Sequence, residues 1–162
     1  MAKKTLHLAL SAIIAALYVI LTFLSATLGL ASGMIQLRLS EALCVLPCLT
    51  FSGVPGLFLG CFLANLLTGC ALTDILFGSL ATLLGALGTR WLSNAGKKTW
   101  ICLLPPVLSN TLIVPWVLKW VYGAETALPL LFLSVFSGEF LSCFILGGFL
   151  EKFLRKAWKS VD

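Results

Sequence analysis

MAKKTLHLALSAIIAALYVILTFLSATLGLASG, residues 1–33, sets two lysines ahead of a long apolar run. Basic residues, an apolar run and small residues are also the ingredients of a signal peptide, whose apolar core is usually about 7–15 residues long. Here the run extends from Thr5 to Leu30, and more apolar segments follow it. The stretch therefore reads as a first transmembrane helix. The rest of the chain should share its solvent.

Composition agrees. The 162 residues are 60% hydrophobic and 10% charged, with a mean hydropathy of +1.07, whereas a soluble domain carries roughly a quarter charged residues. A helix needs about 20 apolar residues to cross the hydrocarbon core, so this length holds about five or six spans and leaves no room for a soluble catalytic domain. The net charge of +5 does not point to nucleic acid. Its basic residues sit at the ends of apolar runs rather than in a stripe interleaved with aromatics.

Glycine, proline and charge divide the chain into six apolar segments, approximately 5–30, 38–51, 54–71, 73–93, 100–121 and 128–154. Helices satisfy the backbone internally in lipid, so each segment is expected to be helical. The expectation is an all-α integral membrane protein, a compact six-transmembrane-helix bundle forming a single membrane domain over residues 1–162. The second segment is short and contains Pro47, which suggests extension through residues 34–37, a tilt, or a discontinuous helix. No internal repeat supports inverted symmetry.

Orientation follows from the basic residues. With both termini cytoplasmic, Lys3, Lys4, Arg90, Lys97, Lys98, Lys152, Arg155, Lys156 and Lys159 lie inside, and only Arg38 and Lys119 lie outside. That asymmetry is the one the positive-inside rule describes. An odd number of spans would separate the two basic termini.

This topology places Glu41, Asp74 and Glu125 toward the outside, and Glu139 near mid-depth of the last segment. Asn65 falls in the outer half of the third segment and Asn110 near the middle of the fifth. Charged and amide groups at such depth face a bundle interior or a wet cavity, because facing lipid costs several kcal/mol. The expected site is a polar pocket opening outward. Arg38 and Glu41, three residues apart within MIQLRLSEALCVLP (34–47), share a helical face and are placed to pair. Bland readings also exist: an interfacial anchor for that pair, a helix N-cap for Asp74, a solvated loop for Glu125, and an aromatic belt for Trp116 and Trp120.

No catalytic motif is legible. AGKKT (95–99) lacks the first glycine and the Gly-Lys-Ser/Thr order of a phosphate loop. His7 has no visible metal partners, and the six cysteines show no CxxC and read as small packing hydrophobes. Neither a metal site nor an enzyme activity is expected. In the first segment, Ser11-xxx-Ala15 and Ala12-xxx-Ala16 form overlapping pairs of small residues at a spacing that lets another helix approach closely.

Three stretches carry a family resemblance: IQLRLSEALCVLP (35–47), GVPGLFLGCFLANLLTG (53–69) and LTDILFGSLATLLGAL (72–87). They resemble the QueT-type queuosine-precursor transporters. The resemblance implies an S component of an energy-coupling factor (ECF) transporter, a small six-helix protein of the prokaryotic plasma membrane that captures a micronutrient outside the cell. A transmembrane T component and two ATPases would drive uptake, so ATP hydrolysis and any cofactor belong to the partners. Ala12 and Ala16 match the docking motif for the T component. The implied ligand is a deazaguanine such as the aminomethyl pre-queuosine base or queuine. Glu139 or Glu41 would read its guanine-like edge, supported by Arg38, Asn65, Asp74 and Asn110, with Trp116 or Phe136 stacking on the ring. Other readings stay open at this point: an S component for another vitamin, a proton-coupled transporter with Glu139 as the carrier, and a structural subunit without a ligand.

Overall fold

A computed structural model describes residues 2–30 and 36–159. An extension of the second segment through residues 34 and 35 lies outside the described residues, as do residue 1 and residues 160–162.

Each apolar segment carries a helix, and among the described residues there is no strand. Helix α1 spans Ala2–Thr27. The second segment is a 3₁₀ helix, Leu39–Val45, running into the single turn of α2, Leu46–Leu49. Helices α3 (Gly53–Leu67) and α4 (Leu72–Asn94) follow. A short α5 (Thr99–Cys102) leads into α6 (Leu104–Trp120). The last segment is α7 (Leu128–Phe140), a π-helical stretch at Leu141–Leu146, and α8 (Gly147–Lys159).

Four stretches are long and apolar enough to cross a membrane: Lys3–Thr27, Leu72–Asn94, Thr99–Trp120 and Leu128–Lys156. The second and third segments are shorter. Seven 3₁₀ residues and four α-helical ones rise only roughly 20 Å at ~2.0 and ~1.5 Å per residue, against a hydrocarbon thickness of about 30 Å. The short segment is nonetheless buried, with Glu41, Cys44, Val45 and Pro47 all inside. Long helices surround it, and their outer faces present Leu8, Ile20, Leu72, Leu112 and Leu133 to the surroundings. Such a surface suits hydrocarbon, since water-soluble monomers rarely expose large contiguous apolar areas.

The two small-residue pairs on α1 face opposite ways. Ser11 and Ala15 are buried against α3, while Ala12 and Ala16 are exposed on the perimeter. The inward approach is close because α3 offers Gly56 and Gly60. A Cβ on Gly60 would lie 2.6 Å from the Cβ of Tyr18, closer than two carbons can pack. The remaining core joins Ile14 and Tyr18 to Leu43, Cys44, Leu57, Cys61, Ala64, Val107 and Cys143.

Side chains hold the ends of the second segment. Ser25 of α1 accepts from the Leu39 amide at 2.8 Å at its start. At its end, Arg90 donates to the Pro47 carbonyl at 3.2 Å and Ser93 to the Cys48 carbonyl at 3.1 Å. These contacts satisfy helix-end groups that would otherwise be stranded in an apolar setting. Arg90, counted among the inner charges by sequence, is thereby part of the bundle's packing.

Candidate functional site

The short segment brings its acid inward. Glu41 is 1% exposed; one carboxylate oxygen accepts the Tyr18 hydroxyl and the other accepts the Cys44 thiol at 2.9 Å. Tyr18 is reached through a stripe on α1 that recurs every three to four residues, Ser11, Ala15, Tyr18, Thr22 and Ser25, all buried. The Thr22 and Ser25 hydroxyls return to the helix backbone, at Tyr18 and Leu21. Ser11 also reaches the Ser52 carbonyl, and Tyr18 sends its hydroxyl to a carboxylate.

The last segment supplies the second acid. Glu139 is 6% exposed, lies within electrostatic reach of Glu41 and Arg38, and has the Asn110 carboxamide beside it. The Cys143 thiol lies 3.8 Å from Glu139 Oε2 and 3.5 Å from the Glu41 carbonyl. Cys143 sits in the π-helical stretch, a widened turn that often marks functional sites. Asn110 is buried, and its Nδ2 makes no hydrogen bond of ordinary geometry, although the Glu139 carboxylate stands beside it. A buried amide hydrogen without an acceptor costs about 1–3 kcal/mol, so this nitrogen suits a ligand acceptor. Pro115, one turn further along α6, has no N–H to offer the Thr111 carbonyl, loosening the ladder beside Asn110.

Nearer the end of the bundle where Lys119 and Tyr122 lie, Asn65 and Asp74 meet across Gly78. A Cβ at that glycine would sit 3.1 Å from Asn65 Nδ2 and 3.3 Å from Asp74 Oδ1. Asp74 is not the N-cap of α4. Ala71 holds that position, and Asp74 instead accepts the Tyr122 hydroxyl at 3.0 Å. The same phenolic oxygen accepts the Ala71 amide at 3.0 Å. Burial, with the Asp74 carboxylate adding to it, pushes the Tyr122 phenol up to about 12.

Arg38 and Glu41 do not pair directly. Among the described residues the one ion pair is Arg155 with Glu151, at 2.6 Å. Arg38 precedes the 3₁₀ helix in extended backbone, φ −107° and ψ 110°, so the shared face expected from helical spacing does not exist there. It lies instead within electrostatic reach of Tyr18, Cys61, Asp74 and Glu41, between the two polar groupings.

The aromatics go elsewhere. Trp116 is 46% exposed, meets Phe132 edge to face at 5.9 Å, and lines an open groove of about 360 Å³ with Thr73, Phe77, Leu112 and Trp120. Phe136 is 42% exposed and stacks on Phe140 at 6.0 Å. Neither is brought to the carboxylates. The aromatic that is there is Tyr18, which the sequence signalled only through its place on the α1 stripe. Glu125 is exposed in its loop, and the His7 ring shares a hydrogen bond with Ser52 at 2.9 Å.

The interior thus holds two acids, an amide making no hydrogen bond of ordinary geometry and a guanidinium, without a nucleophile–base–orienter set. It is equipped to bind a small polar molecule rather than to transform one. No curated protein and no solved structure matches the chain. A family model described as QueT transporter matches residues 8–156. That match covers nearly the whole helical bundle, and the chain belongs to the QueT transporter family, a family of membrane transporters and not of enzymes.

Proposed function

We propose that the protein is the substrate-binding S component of an ECF-type importer and captures a deazaguanine queuosine precursor. All six segments then cross or line the prokaryotic cell membrane, with both termini cytoplasmic. The observation that carries this reading is the burial of Glu41 and Glu139 near one another, with the Asn110 amide beside Glu139 and making no hydrogen bond of ordinary geometry. A deazaguanine edge presents an N–H and an amino group that one carboxylate accepts together. A cationic aminomethyl group is satisfied by the second carboxylate, and a ring carbonyl by Asn110. Asn65, Asp74 and Arg38 line the route from the outer end. Tyr18 replaces Trp116 and Phe136 as the aromatic nearest the acids.

Transport requires energy that this chain has no motif to extract. A T component with two ATPases supplies it, docking on the exposed face of α1 at Ala12 and Ala16. Small residues on an outward face leave room for a partner helix to approach.

Calorimetry on the purified protein tests the substrate class with the aminomethyl base, queuine and guanine. Binding of a deazapurine, weakened in Glu139→Gln by roughly 30- to 140-fold for a lost charge-assisted contact of about 2–3 kcal/mol, supports the reading. No binding of any deazapurine overturns the substrate. Full affinity in the variant removes Glu139 from the site.

A further inference from the structure

The side chains of Glu41, Cys44 and Cys143 place a carboxylate oxygen and two sulfurs within 4.8 Å of one another, all three residues buried. We propose that this group binds a borderline-soft divalent cation, Zn²⁺ or Cd²⁺, and so joins the second segment to the last. The inference stands on its own observations but shares Glu41 with the substrate reading, so ion and deazapurine would compete for that carboxylate.

The donor set is the first argument. Thiolates favour zinc and softer ions over magnesium or calcium, and a mixed sulfur and carboxylate set is compatible with tetrahedral zinc. In such a site, donor atoms bound at about 2.0–2.3 Å stand about 3.3–3.8 Å apart. The present spread of up to 4.8 Å is about an ångström wider, a change that rotation of two cysteine side chains covers. Cys44 Sγ already lies 2.9 Å from Glu41 Oε2.

The surroundings are the second argument. Glu139 Oε2, 3.8 Å from Cys143 Sγ, is a fourth donor within reach. Tyr18 holds the other oxygen of Glu41 through a hydrogen bond, the kind of outer contact that orients a carboxylate ligand. When a metal enters, the two thiol protons leave to solvent, and the dication with the nearby Arg38 guanidinium offsets three of the four negative charges that the two thiolates, Glu41 and Glu139 present.

The third argument is topological. Cys44 lies in the 3₁₀ helix and Cys143 in the π-helical stretch, two departures from α-helical geometry that face each other across the core. The thiols of Cys48 and Cys102 form a second close pair elsewhere in the bundle, within electrostatic reach of Glu151, but their donor atoms do not gather with a carboxylate as those at Glu41 do. They serve as the internal control.

The test uses the full chain in detergent, stripped with chelator, and Cd²⁺ or Zn²⁺ alone with no organic substrate. Expected in the unaltered protein are one ion per chain, a thiolate-to-cadmium absorption band and a raised Tm. Cys44→Ser and Cys143→Ser should each weaken binding by roughly tenfold or more, as loss of a ligand exceeds loss of an outer contact. Cys48→Ser and Cys102→Ser should leave it unchanged. Absence of stoichiometric metal or of the absorption band, or binding that is lost in Cys48→Ser or Cys102→Ser instead, overturns the site. The stoichiometry and the band are read in the unaltered protein, so a misfolded mutant cannot obscure the result.

Discussion

The Tyr18 hydroxyl donates to the Glu41 carboxylate across the interface between α1 and the short second segment, and both residues are almost wholly buried. Removing the donor leaves a carboxylate oxygen without its partner in an apolar interior. Tyr18→Phe is therefore expected to cost about 1–3 kcal/mol of stability. It should also weaken deazapurine binding if Glu41 must be held in one orientation. Thermal unfolding with and without ligand separates the two effects, and an unchanged Tm in the variant would show that the bond contributes nothing.

Gly60 lets Tyr18 reach that position. A Cβ there would lie 2.6 Å from the Tyr18 Cβ, whereas one at Gly148 would meet nothing within 4 Å. Gly60→Val should lower Tm by several degrees, consistent with an overpacking cost of about 1–3 kcal/mol. Gly148→Ala should leave Tm equal or slightly raised, because alanine favours a helix over glycine by about 0.5–1 kcal/mol. Equal melting of the two variants would contradict the close packing of α1 on α3.

Gly138 marks another close approach, where a Cβ would fall 2.0 Å from the Gln36 carbonyl oxygen. Gly138→Ala must move the backbone leading to Arg38 away from α7. The expected result is weaker ligand binding by roughly tenfold, the equivalent of about 1.4 kcal/mol, with a smaller loss of stability. Calorimetry showing full affinity would mean that this loop does not shape the site.

The two faces of α1 make opposite predictions. Ala15 is buried against α3, while Ala12 and Ala16 are exposed. Ala15→Trp should destabilise or unfold the protein. Ala12→Trp and Ala16→Trp should fold and bind ligand normally yet fail in uptake assays with the complete transporter. Unimpaired uptake in both would reject the docking face.

Tyr122 gives a pH dependence. Its phenol is raised to about 12 from an ordinary value of 10.0, chiefly by burial and further by Asp74. A group whose folded pKa is raised contributes stability in full below its unfolded pKa and loses it as pH rises through the folded value. That contribution is therefore present below about pH 10 and fades toward about 12. The difference in tyrosinate absorbance between the unaltered protein and Tyr122→Phe should stay near zero through pH 10 and rise toward 12. A midpoint near 10 would mean that the phenol is not held out of water against Asp74 in solution.

Hydropathy made the helical segments legible because each run is apolar and ended by glycine, proline or charge, even the short second and third. Glu139 stood out for the same reason, as a carboxylate with no apolar excuse deep in a helix. The arrangement around Glu41 was harder to read. Helical spacing paired it with Arg38, yet Arg38 lies just before the helix in extended backbone, and the carboxylate turns to Tyr18 and Cys44. Cys44 and Cys143 lie far apart in sequence, so no spacing announces their meeting. Trp116 and Phe136 look like stacking residues in sequence, but aromatics are equally at home on a lipid-facing surface, where both are found.

The hydrogen bonds from Arg90 and Ser93 to the Pro47 and Cys48 carbonyls have a mechanical consequence. They tie the C-terminal end of the Glu41-bearing segment to α4, the helix that also carries Asp74. The same short segment packs along the last one, which carries Glu139. It therefore bridges the elements that hold the other two buried acids, and a shift of either is transmitted to Glu41.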